Sequence, residues 1–475
     1  MLRHIEDHSG KGTWQVNGNS TRRVRIEADG EGVVAHVGLH ALGAFADRLG
    51  LGDALSAAVP PAGERLPVHD RGKVLTHTML MLAGGGECCA DVEALRAEER
   101  LFGPVASDTT TWRVFRHELT PAVVAALRAA VAPARARVWS RSSVTNTPEP
   151  VVLDIDATLV EVHSENKADA APTYKRGFGF HPIFCFADAT GEALAARLRP
   201  GNAAANNAAD HLTVLDDAIS QIPAAVAAGH RDGDADELVE RAVVVRADSA
   251  GCTAGFVTGC RARNIGFAVV ARSNAAITAA ISRTYTETNP DRWAPAVRQN
   301  GEERPGAQVA ELTDLVDPPE AWPEGVRLIV RREPLHPGAQ HTLFPSANYR
   351  YWGHWTDQAG DPVDLDATMR AHAHVENHIR RLKDSGLCRF PFTDRAANQA
   401  WLTVVCLAAD LVRWFQLLCL AGHLARAEPK TLRWRLWHAP ARIVRHARDE
   451  IVRILDGWPD APAIITAHRR AAALT

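Results

Sequence analysis

Val151 to Val160 read VVLDIDATLV, a short apolar stretch that contains two aspartates. Its length and its Val, Leu and Ile content predict a buried β-strand. Because strand side chains alternate between faces, Asp154, Asp156 and Thr158 lie on one face. Two buried like charges must be protonated, paired or bound to a cation, and a divalent metal keeps both ionised. The stretch therefore favours divalent-metal chemistry on phosphate; the alternative is that one Asp caps a loop and the other pairs with an arginine.

The composition is ordinary for a globular chain of 475 residues, a length that predicts two to four domains. The net charge of -3 means that contact with nucleic acid must depend on local basic clusters. Eight scattered Cys without a CxxC pair argue against a disulfide framework or a zinc ribbon and predict reduced thiols. The apolar run Trp401 to Ala421 contains Asp410 and Arg413, so we expect a buried or oligomer-forming helix rather than a membrane span. No secretory signal is visible, which predicts a cytoplasmic protein.

Residues 39 to about 137 space their apolar side chains three and four apart, which predicts helices. Within this segment Ser107 or Asp108 can cap a helix that presents Arg113 and Arg116. That helix is a candidate for DNA recognition in a helix-turn-helix. The alternative is simple packing in a helical bundle, because the preceding turn is longer than the motif requires.

The elements after the linker SRSSVTNTPEP follow a definite order. The Asp strand is followed by strand-like segments at 181–190 and 192–200, separated by a Thr190-Gly191 turn, which predicts an antiparallel meander. A helix over 206–222, a strand over 241–251 that ends in Asp248, a further helix and a strand over 265–272 complete the series. This is the element order of the RNase H-like fold.

The next ninety or so residues are rich in Pro and Trp and contain β-type pieces, which predicts an inserted β-rich subdomain rather than a long loop. Helical periodicity returns over 365–386, where Glu376 and Lys383 lie two turns apart on one face with His372 and Arg380. The basic, alternating tail TLRWRLWHAPARIVRHARDEIVRIL predicts a small set of β-hairpins.

The predicted fold class is α/β (α+β), with an RNase H-like core, a β-rich insertion, a helical N-terminal domain and a small basic C-terminal region. The first domain, which also contains the strand-like TRRVRIEAD, is expected to bind DNA or to dimerise. The predicted boundaries are 1–145 for the N-terminal domain, 146–275 for the first part of the core, 276–362 for the insertion, 363–395 for the Glu-bearing helix and 396–475 for the C-terminal helix and tail.

Together, Asp154 or Asp156, Asp248 and Glu376 resemble the DDE triad of bacterial insertion-sequence transposases. The sequences ADSAG around Asp248 and RLRPGN at 197–202 resemble those of the branch of these enzymes that has a β-strand insertion before its Glu. Within that branch the chain looks most like the group named for insertion sequence 1380.

The branch's helix motif is Y-x2-R-x3-E-x6-K, and the chain departs from it at two places. Met369 and His372 stand where the branch has Tyr and Arg, whereas Glu376 and Lys383 match. The departure leaves the acids in place and puts in doubt which groups contact DNA phosphate beside them.

The resemblance implies a transposase that binds the terminal inverted repeats of its element, cleaves DNA and transfers the strand to a target. It implies double-stranded DNA as partner, a synaptic homodimer near the nucleoid, and two Mg²⁺ (or Mn²⁺) ions about 3.5 to 4 Å apart. Asp156 is the expected bridging ligand, because Asp followed by a small residue and Thr is the family's usual first motif. Asp154 is the alternative, and Asp248 and Glu376 each hold one ion.

The expected DNA contacts are basic or polar side chains near the triad and in the other domains. Arg199 in RLRPGN has an equally plausible role as a structural pin. Related transposases with a β-rich insertion resemble one another in forming a DNA hairpin, which suggests a base-stacking Trp in the insertion. Trp293, in the polar setting NPDRWAPA, is the first choice over Trp322, Trp352 and Trp355. The full set of expected contacts is Lys383, Arg380, Arg199, Asn202, Arg113, Arg116 and Trp293.

The stretch DIDATL also fits DxDxT, the first motif of haloacid-dehalogenase-like phosphatases, in which the first Asp is a phosphorylated nucleophile. Such an enzyme needs a parallel doubly wound sheet and a later GDxxxD motif, for which the chain offers only Gly233, Asp234 and Asp236. A third alternative is a DNA-binding relative that has lost catalysis, although all three acids are present.

Overall fold

The computed structural model describes residues 3–6, 12–15, 30–60, 67–143, 145, 150–223, 242–286, 292–340, 342–447 and 449–474. The TRRVRIEAD segment and the Gly233, Asp234 and Asp236 loop lie outside these ranges. The helices are α1 Val37–Arg48, α2 Leu51–Ala58, α3 Arg71–Gly84, α4 Glu93–Arg96, α5 Glu99–Phe102, α6 Asp108–Arg113, α7 Pro121–Arg141, α8 Ala208–Ile219, α9 Ala254–Ala262, α10 Ala275–Arg283, α11 Pro362–Arg370, α12 His374–Leu382, α13 Arg395–Cys419, α14 Pro429–Leu432 and α15 Ala461–Ala472.

The strands are β1 Arg3–Glu6, β2 Gly12–Gln15, β3 Val33–Val34, β4 Val151–Ala157, β5 Val160–Glu161, β6 Ala171–Pro172, β7 Phe178–Phe180, β8 Ile183–Ala187, β9 Glu192–Arg197, β10 Val243–Ala247, β11 Gly266–Val270, β12 Ala294–Val297, β13 Glu303–Glu311, β14 Arg327–Pro334, β15 Tyr349–Thr356, β16 Ala441–His446 and β17 Asp449–Ile454. The protein is therefore a mixed α/β structure.

A mixed nine-stranded sheet organises the molecule, in the order β12-β13-β14-β15-β11-β10-β4-β8-β9. The quoted stretch forms β4, whose Leu153 and Ile155 are fully buried. β4 pairs antiparallel with β8, and β8 pairs antiparallel with β9, as the meander prediction requires. The turn between β8 and β9 contains Gly191 at φ 69°, a conformation that favours glycine. β10 and β11 then run parallel to β4.

The segment predicted as a β-rich insertion continues this same sheet. β15 pairs antiparallel with β11, and β14, β13 and β12 follow outward as antiparallel neighbours. Helix α11 begins at Pro362 and packs Val363 and Leu365 against an apolar cluster of these strands. The chain therefore returns from the insertion along one face of the sheet and enters α12.

The N-terminal helices share one large apolar core with the sheet. Ser107 caps α6 by accepting a hydrogen bond from the backbone N–H of Thr110, as predicted. Helix α13 packs against α3, α7 and β9, and its indole side chains Trp401 and Trp414 are buried. By length and hydropathy α13 is apolar enough to cross a membrane, but 78% of its most apolar window is buried inside the protein, so it is a core helix. The bent pair of Asp108–Glu118 and Pro121–Arg141 meets the same criterion only if counted together.

The C-terminal tail is partly different from the expected set of hairpins. β16 and β17 form an antiparallel hairpin that β3 extends, as the alternation predicts. Residues 429–437, however, form α14 and a following π-helical turn. Pro429 at the first helical position favours a helix start, and the helix buries Leu432 and Leu436 on one side. All eight cysteines are free thiols, and five of them are buried.

Candidate active site

The parallel pairing of β4 and β10 brings two aspartates to one edge of the sheet. The register places Ala247 beside Ile155, so the next residues, Asp248 just after β10 and Asp156 within β4, lie at the same level. Each is held by a local hydrogen bond: Asp156 accepts from the backbone N–H of Ala157 at 2.7 Å, and Asp248 accepts from that of Ala250 at 2.8 Å. The sheet therefore fixes the relative position of both carboxylates.

Helix α12 contributes Glu376 in its first turn, where the side chain is exposed. Burial raises the pKa of Asp156 to about 6, and the negative charges of Asp248 and Glu376 add to the rise. Asp248 and Glu376 therefore both lie close enough to Asp156 to repel its negative charge. Within the described ranges, no Lys, Arg or His forms an ion pair with any of them.

This donor set fits hard divalent cations. Carboxylate oxygens are the ligands that Mg²⁺ and Mn²⁺ prefer, and repulsion among unpaired carboxylates favours a bound cation. In the part of the chain that the structure describes, no group of three or more His, Cys, Asp or Glu is arranged around a single metal position.

Asp154 differs from Asp156 in every respect that matters for metal binding. Its side chain is fully buried, and Arg246 donates to both carboxylate oxygens at 2.8 and 2.6 Å. His372 Nδ1 donates to Asp154 Oδ1 at 2.7 Å. Burial alone would raise the pKa of Asp154, but the hydrogen bonds from His372 and Arg246 outweigh burial and hold the pKa below its usual range.

These contacts argue against Asp154 as the bridging ligand. Its negative charge is already neutralised by Arg246, so the alternative in which one Asp of the stretch pairs with an arginine holds for this residue. Neutralisation by an arginine also removes the reason for placing a cation between the two aspartates of β4, and leaves Asp156 as the metal-binding candidate on this strand.

The same buried network ties the start of α12 to the sheet. Arg246 donates to the backbone carbonyl of Thr368 at 2.6 Å, next to the turn between α11 and α12. Asp188, which follows β8, lies 3.0 Å from Arg246 and accepts from His374 Nδ1 at 2.9 Å. His372, which stands where the branch's helix motif has Arg, points into the protein and is 9% exposed. An Arg inside the apolar strand sequence VVVRA is the signal that could have predicted this network, because a buried guanidinium needs acidic partners.

The two basic residues that follow Glu376, one in α12 and one just after it, are at least partly exposed. Arg380 is exposed and forms an ion pair with Glu428 at 3.1 Å. Lys383 is half-buried and begins a π-helical turn at the end of α12. Arg380 lies about one helical turn and Lys383 about two turns C-terminal to Glu376.

The two residues expected from RLRPGN have different environments. Arg199 is 2% exposed and donates to the backbone carbonyl of His181 at 3.0 Å, with Asp210 3.5 Å away. Because its guanidinium is used inside the protein, the structure favours the structural role of Arg199 over its predicted contact with DNA. Asn202 is exposed on the turn after β9.

The candidate recognition helix is short. α6 ends at Arg113 and continues as a π-helical turn whose Val114 and Phe115 are buried. Arg113 is exposed, whereas Arg116 forms an ion pair with Asp394 at 3.0 Å, beside the start of α13. The segment packs against the core and leaves one unpaired arginine at the surface among the described residues.

The burial of Trp293 argues against its predicted stacking role. Trp293 is 8% exposed, its Nε1 donates to Thr284 at 3.3 Å, and the Arg332 guanidinium lies 4.2 Å from its ring centroid. The polar neighbours of Trp293 in the sequence did not reveal this burial. Trp355 is also buried, and Trp322 is half-buried.

Trp352 is the exposed member of the four, at 42%. The guanidinium groups of Arg331 and Arg350 lie 5.0 and 5.3 Å from its ring centroid. The register links Asp154 to Arg246, Arg246 to Ala268 and Ala268 to Thr356 across neighbouring strands. Because Trp352 is four residues from Thr356 on β15, its side chain lies on the face of the sheet that carries the aspartates.

Comparison with known proteins identifies a family and structural likenesses. The model of the family described as transposase DDE domain group 1 matches residues 16–475. No curated protein sequence matches the chain. A structure of the piggyBac transposase synaptic complex with hairpin DNA aligns with a TM-score of 0.39 at 8% identity, over 84% of this chain and 80% of that one.

Proposed function

The chain belongs to the family of transposases with a group 1 DDE domain, and we propose that it binds the terminal inverted repeats of an insertion sequence and moves it by cut-and-paste transposition. The observation that carries this proposal is the cluster of Asp156, Asp248 and Glu376, three carboxylates without cationic partners among the described residues, at one edge of a mixed sheet.

The proposed catalytic core is RNase H-like. Its support is the strand order β9-β8-β4-β10-β11, with three antiparallel strands followed by two that run parallel to the first. We keep the division into 1–145, 146–275, 276–362, 363–395 and 396–475, with the first and last units as DNA-binding or dimerisation regions. A homodimer on DNA would let two element ends be joined in one complex.

Asp156, Asp248 and Glu376 are the proposed metal ligands. When bound, two Mg²⁺ or Mn²⁺ ions would activate the attacking oxygen and neutralise charge on the leaving 3′ oxygen. Asp156 is the proposed shared ligand, because the negative charges of Asp248 and Glu376 both act on its carboxylate. Lys383 and Arg380, one to two turns beyond Glu376, are proposed to hold the phosphate backbone, with Asn202 and Arg113 as further contacts.

The phosphatase alternative is not supported by Asp154. A phosphorylated nucleophile must be reached by substrate, whereas Asp154 is fully buried and bonded to Arg246. The antiparallel strands β8 and β9 also differ from a parallel doubly wound sheet.

The test is cleavage of terminal-repeat DNA by purified Asp156→Asn, Asp248→Asn and Glu376→Gln variants. We expect each to abolish cleavage while leaving binding of the same DNA nearly intact, because these groups are proposed to hold metal rather than DNA. Glu324→Gln, an exposed acid in the insertion, is the matched control and should cleave normally. Metal-dependent cleavage by any of the three variants would remove that acid from the site. Binding without cleavage by the wild-type protein would favour the inactive-relative alternative.

A further inference from the structure

An exposed tryptophan marks a pocket outside the candidate active site. Trp434 is 78% exposed, which is unusual for a side chain that gains so much from burial. It borders a cavity of about 360 Å³, and the other lining residues are Lys430, Arg433, His438 and Trp458. We call this cavity the Trp434 pocket. Its lining contains two indoles and three basic side chains and no acid.

Hydrogen bonds hold Trp458 and Arg433 in the wall of the pocket, whereas the side chains of Trp434 and Lys430 are exposed. Trp458 Nε1 donates to the backbone carbonyl of Arg435 at 3.0 Å, which orients its ring. Arg433 donates to the backbone carbonyls of Ala83 and Asp384. Lys430 is 71% exposed and reaches Asp384 at 2.9 Å. The pocket is thus preformed, with an indole face open to solvent and the ammonium group of Lys430, paired with Asp384, at its rim.

The pocket lies at the far end of the helix that carries Glu376. Both Lys430 and Arg433 contact Asp384, which directly follows Lys383. The eight residues from Glu376 to Asp384 span about 12 Å at the rise of an α-helix. Duplex DNA advances about 3.4 Å per base pair, so this separation corresponds to three or four nucleotides.

We propose that the Trp434 pocket binds an unpaired nucleobase of the DNA strand within roughly three to five nucleotides of the cleaved phosphate. Aromatic side chains bind single-stranded nucleic acid by stacking on exposed base faces, with basic groups holding the backbone. A paired base inside a duplex has both faces covered, so a concave indole site selects a base that has left the stack. The inference rests on the proposed function, since it takes DNA at the acid cluster as its reference point.

A second copy of the chain fits the pocket less well. In a two-fold interface the same patch faces itself, which would bring Lys430 and Arg433 of two copies together. Like charges across an interface are costly, and interface cores are depleted of charge. The charge of the pocket therefore favours a polyanion.

The test uses the full chain in EDTA, so that binding is measured without cleavage. The probe is a 12-nucleotide thymidine oligomer with one central 2-aminopurine. Wild type should quench the 2-aminopurine, and Trp434→Ala should lose the quenching and bind about 5- to 100-fold more weakly. Trp434→Phe should retain part of both effects. Phe344→Ala removes a similarly exposed aromatic ring, 74% exposed, in the insertion and should match wild type.

Lys430→Gln should reduce the salt dependence of binding by about one phosphate contact, which Trp434→Ala should leave unchanged.

The proposed distance between the pocket and the cleaved phosphate is tested with terminal-repeat duplexes. Each duplex carries a single unpaired base, placed at increasing distances from the cut. Trp434→Ala should weaken binding only to duplexes with the unpaired base three to five nucleotides away. Wild-type affinity and quenching by Trp434→Ala would overturn the proposal, as would loss of self-association in sedimentation without any change in DNA binding. The Glu376→Gln variant should keep full quenching, so failure of the catalytic assignment and failure of the pocket are separate results.

Discussion

Two aspartates two residues apart on β4 have opposite electrostatic situations. Burial raises the pKa of Asp156 to about 6, and the charges of Asp248 and Glu376 add to the rise, whereas the charge of His372 opposes it. Asp154 is enclosed by Arg246 and His372, and its pKa is lowered. The first is suited to a cation from solution and the second already has one from the protein. One residue is thus available for chemistry, and the other stabilises the fold.

Replacing Asp154 by Asn should therefore destabilise the protein rather than remove a metal ligand. Breaking a buried ion pair leaves the remaining charge uncompensated, which costs about 3 to 5 kcal/mol. We expect a loss near 3 kcal/mol, because Asp188 still lies 3.0 Å from Arg246. Urea unfolding at pH 7.5 in EDTA measures the change. Asp156→Asn, which removes a repelled charge, is the control and should not lose stability. Equal unfolding midpoints for Asp154→Asn and wild type would contradict the assignment.

At this scale the sequence predicted residue types better than their partners. The period of two placed Asp154 and Asp156 on one face of β4, but it could not show that Arg246 would stand beside Asp154, since that pairing depends on the register between distant strands. The polar letters around Trp293 likewise describe the loop and not the face of the sheet on which the indole packs.

Helix α12 owes its position to contacts that precede it in the chain. Asp154 binds His372, Asp188 binds His374, and Arg246 binds the carbonyl of Thr368. Glu376 lies one turn beyond these groups, so its distance from Asp156 depends on them. His372 is therefore a positioning residue.

His372→Ala should slow cleavage without weakening DNA binding. Loss of an interaction that orients a metal ligand typically lowers activity or metal affinity by roughly 10- to 100-fold. Single-turnover cleavage should fall by that range, and the Mg²⁺ concentration for half-maximal rate should rise, while the Kd for DNA stays constant. His372→Asn, whose amide can still donate to Asp154, should recover part of the rate. A variant that loses DNA binding instead would assign His372 to the DNA surface.

The insertion is an extension of the sheet, so its exposed side chains have a defined relation to the acids. Trp352 lies on the face of Asp154 and Arg246, whereas Trp293 is buried beside Arg332. If a hairpin closes the element end, flipping out a base costs a few kcal/mol and stacking can return about 1 to 3. Trp352, between Arg331 and Arg350, is the residue placed to provide that stacking.

Trp352→Ala should therefore leave nicking intact, slow the second cleavage step and change the fluorescence of a base analogue at the cleaved end. Trp293→Ala should instead lower the unfolding free energy by about 3 to 5 kcal/mol, as buried Trp truncations do. Denaturing gels follow the hairpin, and urea unfolding follows stability. The stacking role fails if all four Trp→Ala variants of the insertion excise DNA at the wild-type rate or if no hairpin forms.

Across the whole molecule, the sequence predicted elements that have strong hydrophobic periodicity and clear capping residues. It did not predict how distant elements pair and pack with one another. Ser107 and the apolar spacing located helices, and the Thr190-Gly191 turn located the meander. The alternation WRLW suggested a strand, yet Glu428-Pro429 and the burial of Leu432 and Leu436 produce a helix there. The continuation of one sheet through the insertion also could not be predicted, because edge pairing leaves no local signature.

A buried ionic cluster joins the N-terminal helices to the catalytic sheet and to α13. Arg135 of α7 contacts Glu192 of β9 and Asp410 of α13, each at 2.8 Å, and all three side chains are buried. Trp414 Nε1 also donates to Glu192 at 2.6 Å. With two acids and one guanidinium, the cluster carries one excess negative charge when both acids are ionised. Burial raises the pKa of Asp410 to about 7, with the charge of Glu192 adding to the rise against Arg135.

The sign of the resulting pH dependence follows from that shift. The unfolded chain releases the Asp410 proton near pH 3.8, whereas the folded protein keeps it to about pH 7, so this group's contribution to stability is full below pH 3.8 and is lost as pH rises through 7. Asp410→Asn removes the titration and should flatten the decline of the unfolding free energy between pH 4.5 and 7.5 in EDTA. Arg135→Met leaves two buried carboxylates unpaired and should cost about 3 to 5 kcal/mol, most strongly above pH 7. Urea unfolding across that pH range measures both. A wild-type slope in Asp410→Asn would place the proton elsewhere, and a mild effect of Arg135→Met would mean that α7, β9 and α13 are held together by their apolar packing rather than by this cluster.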